Sequence, residues 1–354
     1  MTRAERIAAL KAAAGQRILV LDGSWGAMIQ RRGLDEADFR GERFASHNGQ
    51  LKGNNDLLCI TRPDVIEALH DDYFAAGADI SETNTFSATV IAQDDYGLGA
   101  EVVRDINLAG ARLARAAADR WTAKQPDKPR FVAGSIGPLN KMLSMSSNVN
   151  DPGARLVTFD QVYDAYRQQV QALHEGGVDL FLIETITDTL NCKAAIKAIL
   201  DLQDEGYEAL PIWISGTITD RSGRTLSGQT AEAFWNSVKH CKPFAVGFNC
   251  ALGAELMRPH IADLARVADT LVAAYPNAGL PNAMGEYDEQ PHETAHFLEG
   301  WARDGLVNIL GGCCGATPDH IRHVAEGVGG VTPRQVPERE KALRLAGLEP
   351  FELV

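Results

Sequence analysis

A chain of 354 residues is long enough for two ordinary domains or one large α/β barrel, and 45% hydrophobic with 23% charged residues is the composition of a soluble globular fold. The formal net charge of -13 argues against a nucleic-acid backbone or an anionic bilayer as partner, because like charges repel. No apolar stretch approaches the roughly 18 residues needed to cross a bilayer, so no membrane partner is expected either.

The N-terminal "MTRAERIAALKAAAGQ" reads as an Ala-rich amphipathic helix, without the basic start, apolar run and cleavage site of a secretion signal. A cytoplasmic location is expected. In that reducing compartment clustered cysteines more often bind metal or do chemistry than form disulfides.

Eight β-branched apolar runs follow in order: 17–23, 78–86, 130–138, 180–188, 211–220, 244–250, 271–279 and 306–314. Helical patterns separate them. "RPDVIEALHDDYFAAG" starts near Pro63 and stops at Gly77; "FDQVYDAYRQQVQALHEGG" stops at Gly176 and Gly177; "TPDHIRHVAEGV" has Thr317 as N-cap, Pro318 at its first position and Asp319 facing the helix dipole. Short apolar strands alternating with helices predict a parallel sheet buried on both faces, and eight units predict a closed (β/α)8 TIM barrel behind an N-terminal helix. An open doubly wound sheet is the runner-up, but no GxGxxG follows the first strand. The barrel is assigned to residues 1–330, and the Pro- and charge-rich 331–354 to a linker or tail. Long connections at 23–62 and 137–159 follow strands 1 and 3 on the face where barrel enzymes build their sites, and read as pocket walls or lids.

Strand ends bring distant residues together on that face. They carry Asp22, then Glu82, Thr83 and Asn84, then Glu184, then Asn249 and Cys250, then Asn277, and lastly Cys313 and Cys314. Three thiols converging at one mouth form a ligand set for Zn²⁺, which takes four tetrahedral ligands and keeps one position open in catalytic sites. A "CC" pair alone also fits two small buried hydrophobes or an oxidised vicinal pair; "FNC" at another strand end is what favours metal. Neighbouring side chains on a strand point to opposite faces, so the strand is expected to bend at Cys313, with Gly311, Gly312 and Gly315 supplying the freedom. Cys59, Cys192 and Cys241 read as packing thiols, and His320 and His323 as structural. Asp22, Glu184 and, less strongly, Glu82 are candidate site acids, although buried acids with ordinary partners would look the same. "SGTITDRSGRTLSGQT" (215–230) reads equally as an anion loop or as a turn bonded to its own backbone.

With these residues the chain resembles the homocysteine-binding module of cobalamin-dependent methionine synthase, in the wider family of zinc-dependent homocysteine S-methyltransferases. The resemblance runs from about Ile18 to the end through "LDGSWGAMIQ", "KGNNDLL", "GADISETNTF", "VNDP", "LIETITDTLN", "ISGTITDRSGRTLSGQT", "FNCALG", "YPNAGLPNAMGEYD" and "GGCCGATPDHI". It implies a (β/α)8 barrel with zinc on Cys250, Cys313 and Cys314, and Asn277 as a fourth ligand when homocysteine is absent. It also implies an amino-acid site containing Asp22, Thr83, Asn84 and Glu184, in which Glu184 faces the substrate ammonium and backbone N–H groups at Gly23 and Ser24 take its carboxylate. Ser24, Trp25 and Leu139 depart from residues common in the family, which bears on pocket shape.

Three thiolates on Zn²⁺ sum to -1, and a homocysteine thiolate makes the site -2, so the bound sulfur stays electron-rich enough to attack a methyl group. The resemblance implies methylcobalamin as donor, carried with folate on another methionine synthase chain or module. "LAGLEPFELV" resembles the junction before a folate-binding barrel, and no segment here would hold cobalamin, so the chain is expected to be either a separate subunit or a fragment. Two other readings stay open: methyl transfer from S-methylmethionine or betaine, and a zinc-stabilised binding subunit without catalysis.

Overall fold

The computed structural model describes residues 1–219 and 222–353. Eight parallel strands form one sheet: Leu19–Val20 (β1), Ile80–Glu82 (β2), Phe131–Ile136 (β3), Leu180–Ile186 (β4), Ile212–Gly216 (β5), Ala245–Gly253 (β6), Leu271–Asn277 (β7) and Ile309–Leu310 (β8). Each pairs with its sequence neighbour, and β1 pairs with β8. A bridge between Leu21 and Ile80 joins β1 to β2, so the sheet closes as a (β/α)8 barrel. Strand interiors are buried throughout, which is why their sequence is continuously apolar instead of alternating. Leu19, Ile80, Phe131, Leu180, Trp213 and Ile309 are among the side chains that fill the interior as one packed cluster.

All eight expected strands are present, but β1 and β8 keep regular ladder pairing over only two residues each. Past Leu21 and Leu310 the regular ladder gives way to irregular bonds with the neighbouring backbone: Gly312 N–H donates to the Asp22 carbonyl (3.1 Å) and Cys313 N–H to that of Pro276 in β7 (2.8 Å). The strand therefore ends before the cysteines, and they sit in a turn.

Both long connections lie where expected. Residues 23–62 contain the short helices Trp25–Gln30, Glu36–Arg40 and Leu58–Thr61, and they bury Ile29, Phe39, Phe44, Leu51 and Leu57 in a second small core shared with Ile66, Leu69 and Ile106 of the helices that follow. Residues 137–158 are turns and coil.

The barrel floor is fastened by acids that precede strands. Asp79 accepts the Val20 amide (2.9 Å) and a paired Arg17; Asp179 accepts the Val132 amide (2.9 Å), Arg6 and Arg115. Past residue 330 the chain stays on the barrel. Buried Arg334 donates to the carbonyls of Ala265, Ala268 and Thr270, and an antiparallel hairpin, Leu343–Ala346 with Pro350–Leu353, packs beside the helix Ala231–Val238. Among the described residues no helix is long and apolar enough to cross a membrane.

Candidate metal centre and its cavity

Cys250 stands near the end of β6, where the pairing with β7 slips between Asn249 and Gly253. Cys250 and Ala251 take φ of 60° and 55°, an uncommon conformation for residues with a Cβ, and this inversion turns the thiol towards the turn after β8. There Cys313 and Cys314 follow Gly311 and Gly312, whose added Cβ atoms would lie 2.7 Å from Leu21 and 2.2 Å from Ala316. Gly315, at φ 81°, lets Tyr287 approach: a Cβ there would lie 2.4 Å from the Tyr287 Cβ.

The three sulfurs lie within 4.8 Å of one another, and Cys250 Sγ is 3.8 Å from Cys314 Sγ. Tetrahedral sulfurs about 2.3 Å from zinc stand about 3.8 Å apart, so the spacing fits the ion and is far too long for a disulfide. Charge agrees. The thiols of Cys250 and Cys313 donate to Cys314 and hold its pKa down to about 3. The same contacts, with burial, push Cys313 up; Cys250, lowered by Cys313 but raised by its donation to Cys314 and by burial, ends at about 11. Crowded sulfurs thus share protons, and a cation in their midst is what allows all three to ionise. Asn277 Oδ1 accepts the Cys314 amide (3.1 Å), so in this arrangement it steadies the ligand turn through the backbone.

The cluster opens into a cavity of about 1210 Å³ lined by Gly23, Ser24, Trp25, Glu82, Thr83, Asn84 and Glu184 with the three cysteines. Glu184 accepts from Ser135 Oγ and from Tyr275 Oη (3.4 Å), and burial pushes it up to about 7. Burial and the charges of Glu184 and Asp22 push Glu82 up as well. Asp22 stands one layer behind the wall. Its Oδ2 accepts from Ser81 Oγ (2.7 Å), the Glu82 amide (2.9 Å) and Trp25 Nε1 (3.1 Å), Oδ1 has no partner, and burial pushes the acid up to about 7. Among the described residues the one basic side chain in the lining is Arg31. No cation pairs with Glu82 or Glu184 among the described residues, and acids so placed suit a ligand that brings its own positive charge.

A model of the homocysteine S-methyltransferase family matches residues 19–328. The chain belongs to that family. It is a methyltransferase. Its fold is similar to that of the homocysteine methyltransferase MmuM from Escherichia coli: the metallated form superposes with a TM-score of 0.69 at 23% identity, over 88% of this chain and 96% of that one. The oxidised form gives 0.69 at 22%, over 87% and 95%, and the apo form 0.64 at 21%, over 88% and 96%.

Within this methyltransferase one expected contact needs correction. Ser24 N–H already donates to the Ala316 carbonyl (2.8 Å) and Ser24 Oγ caps the helix behind it, so of the two amides expected to meet a substrate carboxylate, that of Gly23 is left as the candidate. Thr83 Oγ1 accepts the Ser135 amide (2.9 Å), and the Asn84 carboxamide donates to the Asn55 carbonyl (2.8 Å), so both shape the wall through bonds to protein. Cys59 and Cys192 are buried and Cys241 half-buried, apart from the cluster. His320 caps its own helix and reaches the Glu289 carbonyl (2.9 Å); His323 bonds within the same helix. Of the polar loop 215–230, Asp220 and Arg221 lie outside the described residues; Thr219 and Thr225 beside them bond to loop backbone.

Sequence reasoning overlooked Tyr287, which lies against the ligand turn and helps hold the Cys314 thiol down, and Asp56, a cavity acid that accepts the Ser87 amide (3.0 Å) and is pushed up to about 7 by burial. They lie inside "YPNAGLPNAMGEYD" and "KGNNDLL", Tyr287 on a loop and Asp56 on the single 3-10 turn Asn55–Leu57, whose paths no periodicity reveals.

Proposed function

We propose that this chain is a zinc-dependent homocysteine S-methyltransferase that takes its methyl group from methylcobalamin carried by another chain or module and forms methionine. The observation that carries the reading is the convergence of three cysteine sulfurs on one face of an acid-lined cavity in a chain of this family.

Zn²⁺ held by Cys250, Cys313 and Cys314 would supply the positive charge that keeps a homocysteine thiol deprotonated near neutral pH. The protein does the rest by placement. Glu184 and Glu82 face the substrate ammonium, and that cation offsets the burial and mutual repulsion that push both acids up. Gly23 N–H meets the carboxylate. Held at both ends, the amino acid points its sulfur at the cysteine cluster. A sulfur lone pair forms the new S–C bond while the donor's bond to that methyl breaks and its electron pair leaves with the donor. No protein acid or base is needed.

The cavity is much larger than an amino acid and open to solvent, so the far side is left for the donor. Phe86 and Met284, both in its lining, are exposed and give the cavity an apolar surface. Together with the motif-by-motif resemblance to the cobalamin-dependent module, this supports a large carried donor.

Homocysteine supplied separately with methylcobalamin, S-methylmethionine and betaine tests the assignment through methionine formation. Methylcobalamin alone is expected to work; turnover with betaine or S-methylmethionine and none with methylcobalamin overturns it. Cys313→Ala is expected to lose both zinc and turnover. X-ray absorption of the zinc protein should show one added sulfur on homocysteine binding, and four permanent protein ligands would instead mean a structural metal.

A further inference from the structure

Asn249 is fully buried between two irregular strand ends. Register slips between Ile183 and Ile186 in β4, leaving Thr185 at φ 55°, and between Asn249 and Gly253 in β6, leaving Cys250 at φ 60°. The Asn249 carboxamide joins the two. Its Oδ1 accepts the Thr185 amide (3.1 Å) and the Ser215 hydroxyl (2.7 Å); its Nδ2 donates to Thr185 Oγ1 (2.8 Å) and to Cys313 Sγ (3.8 Å). The orientation is not arbitrary. A backbone N–H only donates, so the face towards Thr185 N must be the oxygen, which commits the N–H face to the cysteine sulfur.

We propose that Asn249 is a positioning residue of the metal site: its oxygen holds the inverted backbone beside Glu184, and its N–H donates to the Cys313 sulfur and draws charge from that ligand. The inference rests on the zinc reading above. Three thiolates exceed the charge of one divalent cation, and a fourth enters with substrate, so a fixed N–H dipole on one ligand offsets part of the excess. Donors behind metal ligands commonly set both affinity and ligand orientation. Asn249 thereby couples the cysteine cluster to the strand that carries the ammonium-facing acid.

The test is Asn249→Asp in alkaline buffer. An ionised aspartate still accepts from Thr185 and Ser215 but presents an oxygen, not an N–H, to Cys313. Zinc affinity measured by chelator competition is expected to fall roughly 10–100-fold. The sulfur-to-metal charge-transfer band of the cobalt-substituted protein is expected to move to lower energy, while circular dichroism of the metal-free variant stays native. Unchanged affinity and an unchanged band would overturn the proposal and leave Asn249 a backbone support. Should the variant not fold, the wild type decides: with a spin-half cadmium isotope in the site, scalar coupling from cadmium to the Asn249 side-chain amide proton supports the bond, and its absence overturns it. Wild-type protein prepared alongside without bound zinc would instead overturn the zinc reading itself.

Discussion

Replacing Glu184 by Gln should make the protein more stable and less able to bind substrate. Glu184 is 3% exposed, and among the described residues no Lys or Arg pairs with it; its oxygens meet only Ser135 and Tyr275. Burial raises its pKa from 4.5 to about 7, so the native state binds more protons than the unfolded chain between those values. The resulting penalty is absent below the unfolded pKa, grows as pH rises, and is complete above about 7, where it amounts to about 3 kcal/mol. Glutamine removes the penalty and keeps an acceptor for Ser135, at the expense of about 1 kcal/mol at Tyr275. Urea unfolding of the metal-free proteins should therefore show a gain of about 2 kcal/mol for the variant in mildly alkaline buffer and none in acid. Homocysteine affinity should fall about 10–150-fold, as expected for a lost charged hydrogen bond of about 1.5–3 kcal/mol. A variant with the wild-type dependence of stability on pH would refute the burial reasoning, and undiminished homocysteine affinity would refute the ammonium contact.

Gly315→Ala places a Cβ at φ 81° and 2.4 Å from the Tyr287 Cβ, which costs about 1–2 kcal/mol for the backbone alone. It should lower the melting temperature and weaken zinc binding in chelator competition as Tyr287 is displaced from Cys314; wild-type zinc affinity would show that the approach of Tyr287 is incidental. Asp179→Asn leaves Arg6 and Arg115, 12% and 11% exposed, without their shared carboxylate on the floor of the barrel. Denaturant unfolding should show a loss of about 3–5 kcal/mol, with zinc content of the folded fraction unchanged. A loss under 1 kcal/mol would mean that solvent reaches these arginines freely.

The barrel and its ligands were legible because their signals are local. Continuous apolar runs such as "LFLIE" and "FAVGF" follow from strands covered on both faces, Pro63 and Pro318 open helices for stereochemical reasons, and the α/β alternation dictates which strand ends share a face. Cys250, Cys313 and Cys314 could be grouped from that order alone. Tertiary structure decided what depends on backbone direction and on loops. Whether the "CC" pair lies on a bent strand or in a turn depends on where the β7–β8 ladder stops, and it stops at Leu310. That Ser24 N–H is taken by Ala316, Asp22 sits behind the wall, and Tyr287 reaches Cys314 are contacts across long sequence separations, with no periodicity to announce them. Periodicity reports which face of an element is buried; it carries no record of which partner a hydrogen-bonding group will find.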